Sequence, residues 1–193
     1  MASDTRTEIL DAAERLVQTR GFNAFSYADI ASELDLTTAS LHYHFSGKAE
    51  LGRALIERYT ERFGEALAAI DAAGGEAPGK LAAYADIYAS VLRDRRMCLC
   101  GMLAADYDTL SDPMRAAVVE FFDRNEAWLV AVLEQGEREG SLRLGGSAPE
   151  AAQALVSGLE GALLIARPYG DVKRFESAAR RLVEALAAQS TPA

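Results

Sequence analysis

Histidine is nearly absent. The chain of 193 residues carries two, and both stand in one short stretch, Leu41-His42-Tyr43-His44-Phe45. With both histidines spent in one short stretch and no cysteine or third histidine nearby, little is left for a histidine-based catalytic site or a metal cage. Cysteine is equally scarce: Cys98 and Cys100 are too few for a disulfide framework and too close for an easy mutual bridge, which fits a reducing compartment. Proline numbers five, and β-branched residues seldom cluster, so the usual markers of turns and sheets are thin. No apolar run reaches the roughly 20 residues needed to cross a bilayer. The longest, near Leu155 to Ala166, is broken by Gly158, Glu160 and Gly161. The opening MASDTRTEIL has neither a basic n-region nor an apolar h-region, so a cytoplasmic location is expected. The chain also lacks G-x-S-x-G, G-x-x-x-x-G-K-[ST] and H-E-x-x-H, so no enzyme, cofactor or metal is expected. Positive charge is in deficit: 20 basic against 29 acidic residues give a net charge of −9, which weighs against a nucleic-acid partner, since phosphate binding usually leaves a basic footprint.

Alanine and helical periodicity fill the space these absences leave. Half of the residues are hydrophobic and a quarter charged, which predicts a globular all-α protein of about nine helices. Ile9, Ala12, Ala13, Leu16 and Val17 recur at helical spacing over 5–20, and Gly21 ends that helix. Ser26 and Asp29 form a capping-box start for a second, short helix with Ile30, Ala31 and Leu34. Asp35 and Leu36 make a tight turn. Thr37 then caps a third helix in which Leu41 and Phe45 share one face. A long helix is predicted over 48–73, with Leu51, Leu55, Tyr59, Phe63, Leu67 and Ile70 as its buried stripe. Further helices are expected over 79–95, 98–107, 113–139, 149–166 and 171–188, each bounded by Pro, Gly or Ser.

On a helix, residues two apart point about 200° away from each other, so His42 and His44 do not ligate one ion from a single face. One alternative packs His44 in a core and leaves His42 in water. The other is a helix-turn-helix, whose second member lies across phosphates and whose third enters the major groove of DNA. Leu36 and Leu41 would anchor the third helix while Thr37, Thr38, Ser40, His42 and Tyr43 project outward. Hydroxyls, imidazole and phenol all bond base edges or phosphates, and Lys48 at the next helix start suits a phosphate. Residues 1–58 are net −3, with nine acids against six bases, yet 36–49 hold one lysine, two histidines and no acid. Any positive potential is therefore local.

The segments TEILDAAERLVQTRGF, FSYADIASEL and TASLHYHFSGKAEL together resemble the N-terminal domain of the tetracycline-repressor (TetR) family of bacterial transcription regulators. The resemblance covers about the first 55 residues. It implies that Lys48, Ser26 and Tyr27 face phosphates and that Thr37, Thr38, Ser40, His42, Tyr43 and His44 lie at or near the groove. Two positions depart from the pattern: His42 stands where tyrosine is usual, and Asp35 where glycine is usual at the turn. The resemblance further implies a DNA-binding domain at 1–47 and a helical effector-binding and dimerisation domain at 48–193. It also implies a homodimer on a palindromic operator of double-stranded DNA, released by a small-molecule effector that shifts the spacing of the two heads.

For the effector, Tyr84, Tyr88, Met102, Phe121, Phe122 and Trp128 offer an aromatic and adaptable apolar wall, with Asp106 and Asn125 as polar anchors. For the dimer, small and branched residues on the last two helices permit close approach: Leu155, Gly158, Gly161, Ala162 and Ile165 on one, Leu182 and Leu186 on the other. Two further readings stay open. Arg95 and Arg96 precede Cys98, and together with Cys100 this pattern suits a thiol sensor of oxidants or electrophiles. The acidic charge suits a helical ligand-binding scaffold that leaves DNA alone.

Overall fold

The computed structural model describes residues 2–188, with side chains from residue 5 onward. Among these residues nine α-helices follow one another: α1 (Ala2–Arg20), α2 (Tyr27–Leu34), α3 (Thr38–His44), α4 (Lys48–Ala73), α5 (Ala77–Arg93), α6 (Leu99–Ala105), α7 (Asp112–Glu139), α8 (Ala148–Ala166) and α9 (Val172–Glu184). One isolated antiparallel bridge, Leu142 with Ala187, is the sole β feature among them. No helix in this range is long and apolar enough to cross a membrane.

The chain divides into two compact units, one of Met1–Arg62 with Arg96–Phe121, the other of Phe63–Arg95 with Phe122–Ala193. In the first, Ile9, Ala13, Leu16 and Val17 of α1 are buried with Ile30 and Ala31 of α2, Leu41 of α3, and Leu51, Leu55 and Ile56 of α4. Helix α3 has seven residues, too few to persist alone, so burial of Leu41 and Phe45, at about 1.5–3 kcal/mol each, is what holds it. Glu14 is buried on the apolar side of α1 and is bridged by Arg58 at 2.8 Å and Arg62 at 2.5 Å, a charge kept inside only because it is paired twice. Helix α6 is attached to α1 through Met97 N, which donates to Gln18 O at 3.1 Å.

In the second unit α9 lies against α5 and α8. Tyr84, Tyr88, Asn125, Leu129, Leu159, Leu163, Phe175 and Ala179 are buried there. Lys80 and Trp128 both donate to the Asp71 carboxylate, at 2.9 and 2.8 Å, which ties α5 and α7 to the end of α4.

Several helix limits differ from the sequence expectation, and three of them have local reasons. Helix α5 begins at Ala77 because Pro78 is tolerated in a first turn, where its missing N–H is not needed. Helix α9 stops at Glu184 because the following backbone pairs with the α7–α8 connection: Arg143 N donates to Leu186 O at 2.8 Å and Ala188 N to Ser141 O at 3.0 Å. Helix α3 ends at His44, and Phe45 is extended (φ −142°, ψ 115°). Phe45 therefore shares the core with Leu41 from beyond the helix rather than from its face.

Candidate nucleic-acid interface

The turn between α2 and α3 is built from local chemistry. Ser26 and Asp29 form a reciprocal capping box at the start of α2, and the serine hydroxyl and backbone N–H beside Asp29 hold its carboxyl below the usual carboxylate range. Asp35 closes α2 in the left-handed conformation (φ 54°, ψ 42°), which a short polar side chain tolerates and which lets the chain reverse within two residues. Thr37 caps α3, its Oγ1 accepting from Ser40 N at 3.1 Å.

Helix α3 is consequently two-sided. Leu41 faces the core, while Thr37, Thr38, His42 and Tyr43 are exposed, Tyr43 at 82%; Ser40 and His44 are half-buried. His44 meets the Tyr43 ring edge-on at 5.2 Å. The two histidines are thus engaged with different rings, His42 with Tyr27 at 4.8 Å. No group of three His, Cys, Asp or Glu able to hold a metal ion occurs among the described residues.

The three residues expected at phosphates have distinct fates. Ser26 is exposed and engaged in its cap. Tyr27 is half-buried and donates its hydroxyl to Phe45 O at 3.1 Å; burial, and then Glu50, push its pKa up to about 12, so it stays a neutral brace between α2 and α3. Lys48 turns inward: its Nζ donates to Phe25 O and lies 4.7 and 4.2 Å over the Phe22 and Phe25 rings. Burial lowers its pKa, opposed by Asp106 and Asp29. In this arrangement Lys48 clamps the connection between α1 and α2. Asp106 serves the same connection, accepting from Phe22 N at 2.9 Å beside Gly21, whose φ of +93° admits the turn. One cation passed over in the sequence is Arg6, whose guanidinium sits 4.8 Å over the Phe45 ring, at the end of α3.

Sequence comparison agrees with this geometry. Residues 9–55 match "Bacterial regulatory proteins, tetR family", and residues 77–182, over half of the chain, match "Tetracyclin repressor-like, C-terminal domain". The chain belongs to the tetR family. A solved tetR-family transcriptional regulator from Agrobacterium tumefaciens superposes with a TM-score of 0.94 at 30% identity, covering 97% of this chain and all of the other. The HTH-type transcriptional repressor BepR of Brucella suis is 28% identical over 177 residues, 84% of this chain and 80% of that protein. The HTH-type transcriptional regulator TtgR of Pseudomonas putida is 40% identical over 60 residues, a match that spans only 29% of that protein's length.

The side chains expected around an effector divide between the two units of this tetR-family chain. Tyr84, Tyr88, Phe122, Asn125 and Trp128 belong to the second unit, Met102, Asp106 and Phe121 to the first. Asp106 is spent on the Phe22 N–H, and Phe121 packs on Tyr59 at 5.5 Å. In the second unit Tyr84 donates to Asn125 Oδ1 at 3.1 Å, its hydroxyl is 3.2 Å from that of Tyr88, and its ring stacks on Trp128 at 5.6 Å. Phe63 meets both tyrosines edge-on at 6.0 Å. The result is a pair of hydroxyls and an amide inside an aromatic shell. Phe63 completes that shell, although its spacing in the sequence marks it only as part of the buried stripe of α4.

The residues expected at a dimer face also separate. Leu155 is buried in its own subunit, and Gly158 is covered by Leu182, whose Cδ1 would lie 2.9 Å from an added Cβ, so these three pack α8 on α9. Leu186 is half-buried beside the end of α9. Gly161 faces open space, Ala162 is half-buried, and Ile165 is 56% exposed next to Leu164 at 57% and Tyr169 at 62%. Cys98 and Cys100 are both buried, and Cys98 Sγ accepts from Gly101 N at the start of α6. A thiol sensor needs a reachable thiolate, which neither sulfur presents.

Proposed function

We propose that this protein is a homodimeric, cytoplasmic transcription regulator of the repressor type, without catalytic activity. Each subunit inserts α3 into the major groove of one half of a palindromic operator. The observation that carries this reading is the division of α3 between buried Leu41 and an exposed row of Thr37, Thr38, His42 and Tyr43 in a stretch free of acidic side chains. The family's repressors, BepR among the relatives named above, support the same sense of regulation.

A small effector bound in the second unit would act by its different affinity for the DNA-bound and free arrangements of the dimer. The Tyr84–Tyr88–Asn125 cluster within its aromatic shell favours a molecule that is largely apolar with one hydrogen-bonding group.

The test is binding to the DNA upstream of the protein's own gene, titrated with salt. Affinity should depend on sequence and fall steeply with salt, and Tyr43→Ala should weaken it by about tenfold or more, within the range of about 1–3 kcal/mol (about five- to 150-fold) for a base contact. Sequence-independent binding, or none, would support a helical scaffold instead.

A further inference from the structure

His42 differs from its exposed neighbours on α3 in that its ring is held on two sides. Nδ1 lies 3.2 Å from Ser46 O, and the ring leans on that of Tyr27, centroids 4.8 Å apart and planes 53° apart. Tyr27 is itself fixed by its bond to Phe45 O. Ser46 is fixed too, since its N–H and hydroxyl both donate to Glu50 Oε2, at 2.8 and 2.5 Å. A carbonyl oxygen only accepts, so the proton of the neutral imidazole must sit on Nδ1, and Nε2 is left with a bare lone pair. The surroundings therefore choose the tautomer. The side chain is exposed, and Nε2 has no partner among the described residues.

An acceptor on this surface restricts what it can meet on DNA. Phosphate and sugar oxygens are acceptors as well and offer it nothing. The donors that duplex DNA presents in the major groove are the exocyclic amino groups, N6 of adenine and N4 of cytosine. The hydroxyls of Thr37, Thr38 and Tyr43 can turn to bond either a phosphate or a base, but a neutral imidazole locked through Nδ1 cannot.

We infer that His42 is a base-reading residue, accepting through Nε2 from the amino group of one adenine or cytosine in each half-site. The inference rests on the reading of α3 as the groove-entering helix. It also gives this position a different task from a phosphate contact, for which a hydroxyl or a cation is suited.

The experiment selects duplexes from a randomised library with the intact wild-type protein and with His42→Phe, which keeps a ring against Tyr27 and removes both nitrogens. The best wild-type duplex is then rebuilt with the amino group deleted at the position under test, purine for adenine or 2-pyrimidinone for cytosine. Wild type should lose about tenfold or more in affinity on that duplex, as expected for a lost base contact. His42→Phe should lose its preference at that base pair alone, be indifferent to the deleted amino group, and keep the wild-type salt slope. A uniform loss of affinity with a shallower salt slope would assign His42 to a phosphate and overturn the inference, as would an unchanged preference in the variant. Wild type that tolerates amino deletion at every adenine and cytosine of the half-site would overturn the inference without any variant, and His42→Leu, which also lacks both nitrogens, replaces His42→Phe should that fold poorly. Failure of wild type to select any sequence would instead remove the operator reading, before His42 enters the comparison.

Discussion

Gly136 and Gly64 look alike in the sequence, each inside a long helix, but their surroundings give them opposite roles. At Gly136 the chain doubles back: Ser141 N and Leu142 N both donate to Gly136 O, and an added Cβ would stand 2.4 Å from Leu142 Cδ1 and 2.8 Å from Ala77 Cβ. Ala77 Cβ cannot swing away, because it has no rotatable bond beyond the backbone. Around Gly64 nothing lies within 4 Å of the point where a methyl would stand, and the residue is exposed. Gly136→Ala should therefore destabilise by about 1–3 kcal/mol through overpacking. Gly64→Ala should stabilise by about 0.5–1 kcal/mol through helix propensity. Urea unfolding midpoints of the two variants should move in opposite directions, and movement of both the same way would show that the close approach at Gly136 is not a real constraint. The same contrast explains what single residues hid from the sequence. Lys48 reads as a phosphate ligand until Phe25, 23 residues away, takes its ammonium, and Asp106 reads as an effector anchor until Phe22, 84 residues away, takes its carboxylate.

Helices α2, α4 and α8 share one starting device, a serine whose hydroxyl and N–H both bond a carboxylate three or four residues on: Ser26 with Asp29, Ser46 with Glu50, Ser147 with Glu150. In each case the serine hydroxyl, followed by the serine backbone N–H, holds the carboxyl below its ordinary value. A carboxylate whose folded pKa is depressed contributes stability that is complete above its unfolded pKa and vanishes as pH falls through the folded one. Stability should accordingly decline on acidification below about pH 4, the ordinary carboxylate range, and not above it from this cause. Carboxyl resonances followed by NMR should place Asp29 below a free aspartate in the intact protein and return it upward in Ser26→Ala. An ordinary titration of Asp29 in the intact protein would contradict the cap. The Ser26–Asp29 start, and the left-handed Asp35 between α2 and α3, were legible in the sequence because donor and acceptor lie within one turn of chain; the caps by Ser46 and Ser147 were as local but went unread. The end of α9 was not, because the Leu142–Ala187 bridge that stops it joins segments 45 residues apart.

For the molecule as a whole, net charge is the difficulty. At −9 per chain, the proposed dimer would bring its acidic charge to a polyanion, so its affinity would have to come from short, repeated contacts rather than from a general field. One α3 supplies a single helix of seven residues, and two copies placed on one duplex double the contacts within one binding event. On the proposed reading, dimerisation is a condition for reading DNA rather than an accessory to it. The surface best suited to join two copies is the exposed side of α8 and its C-terminal turn: Gly161 open to solvent, Leu164 and Ile165 more than half exposed, and Tyr169 at 62% under the Arg174 guanidinium at 4.0 Å. Ile165 is itself more than half exposed, so a charge there should leave the subunit's own packing intact. Ile165→Arg is expected to remain folded, with an unchanged melting profile, and to run as a monomer in light scattering. Its operator affinity should drop from roughly nanomolar towards micromolar or weaker, the range of non-specific binding, with a shallower salt slope because about half the phosphate contacts are gone. A dimeric Ile165→Arg would move the interface elsewhere on the chain. A monomeric variant that still binds the operator with full affinity would refute the argument that this acidic chain needs its second copy to hold DNA.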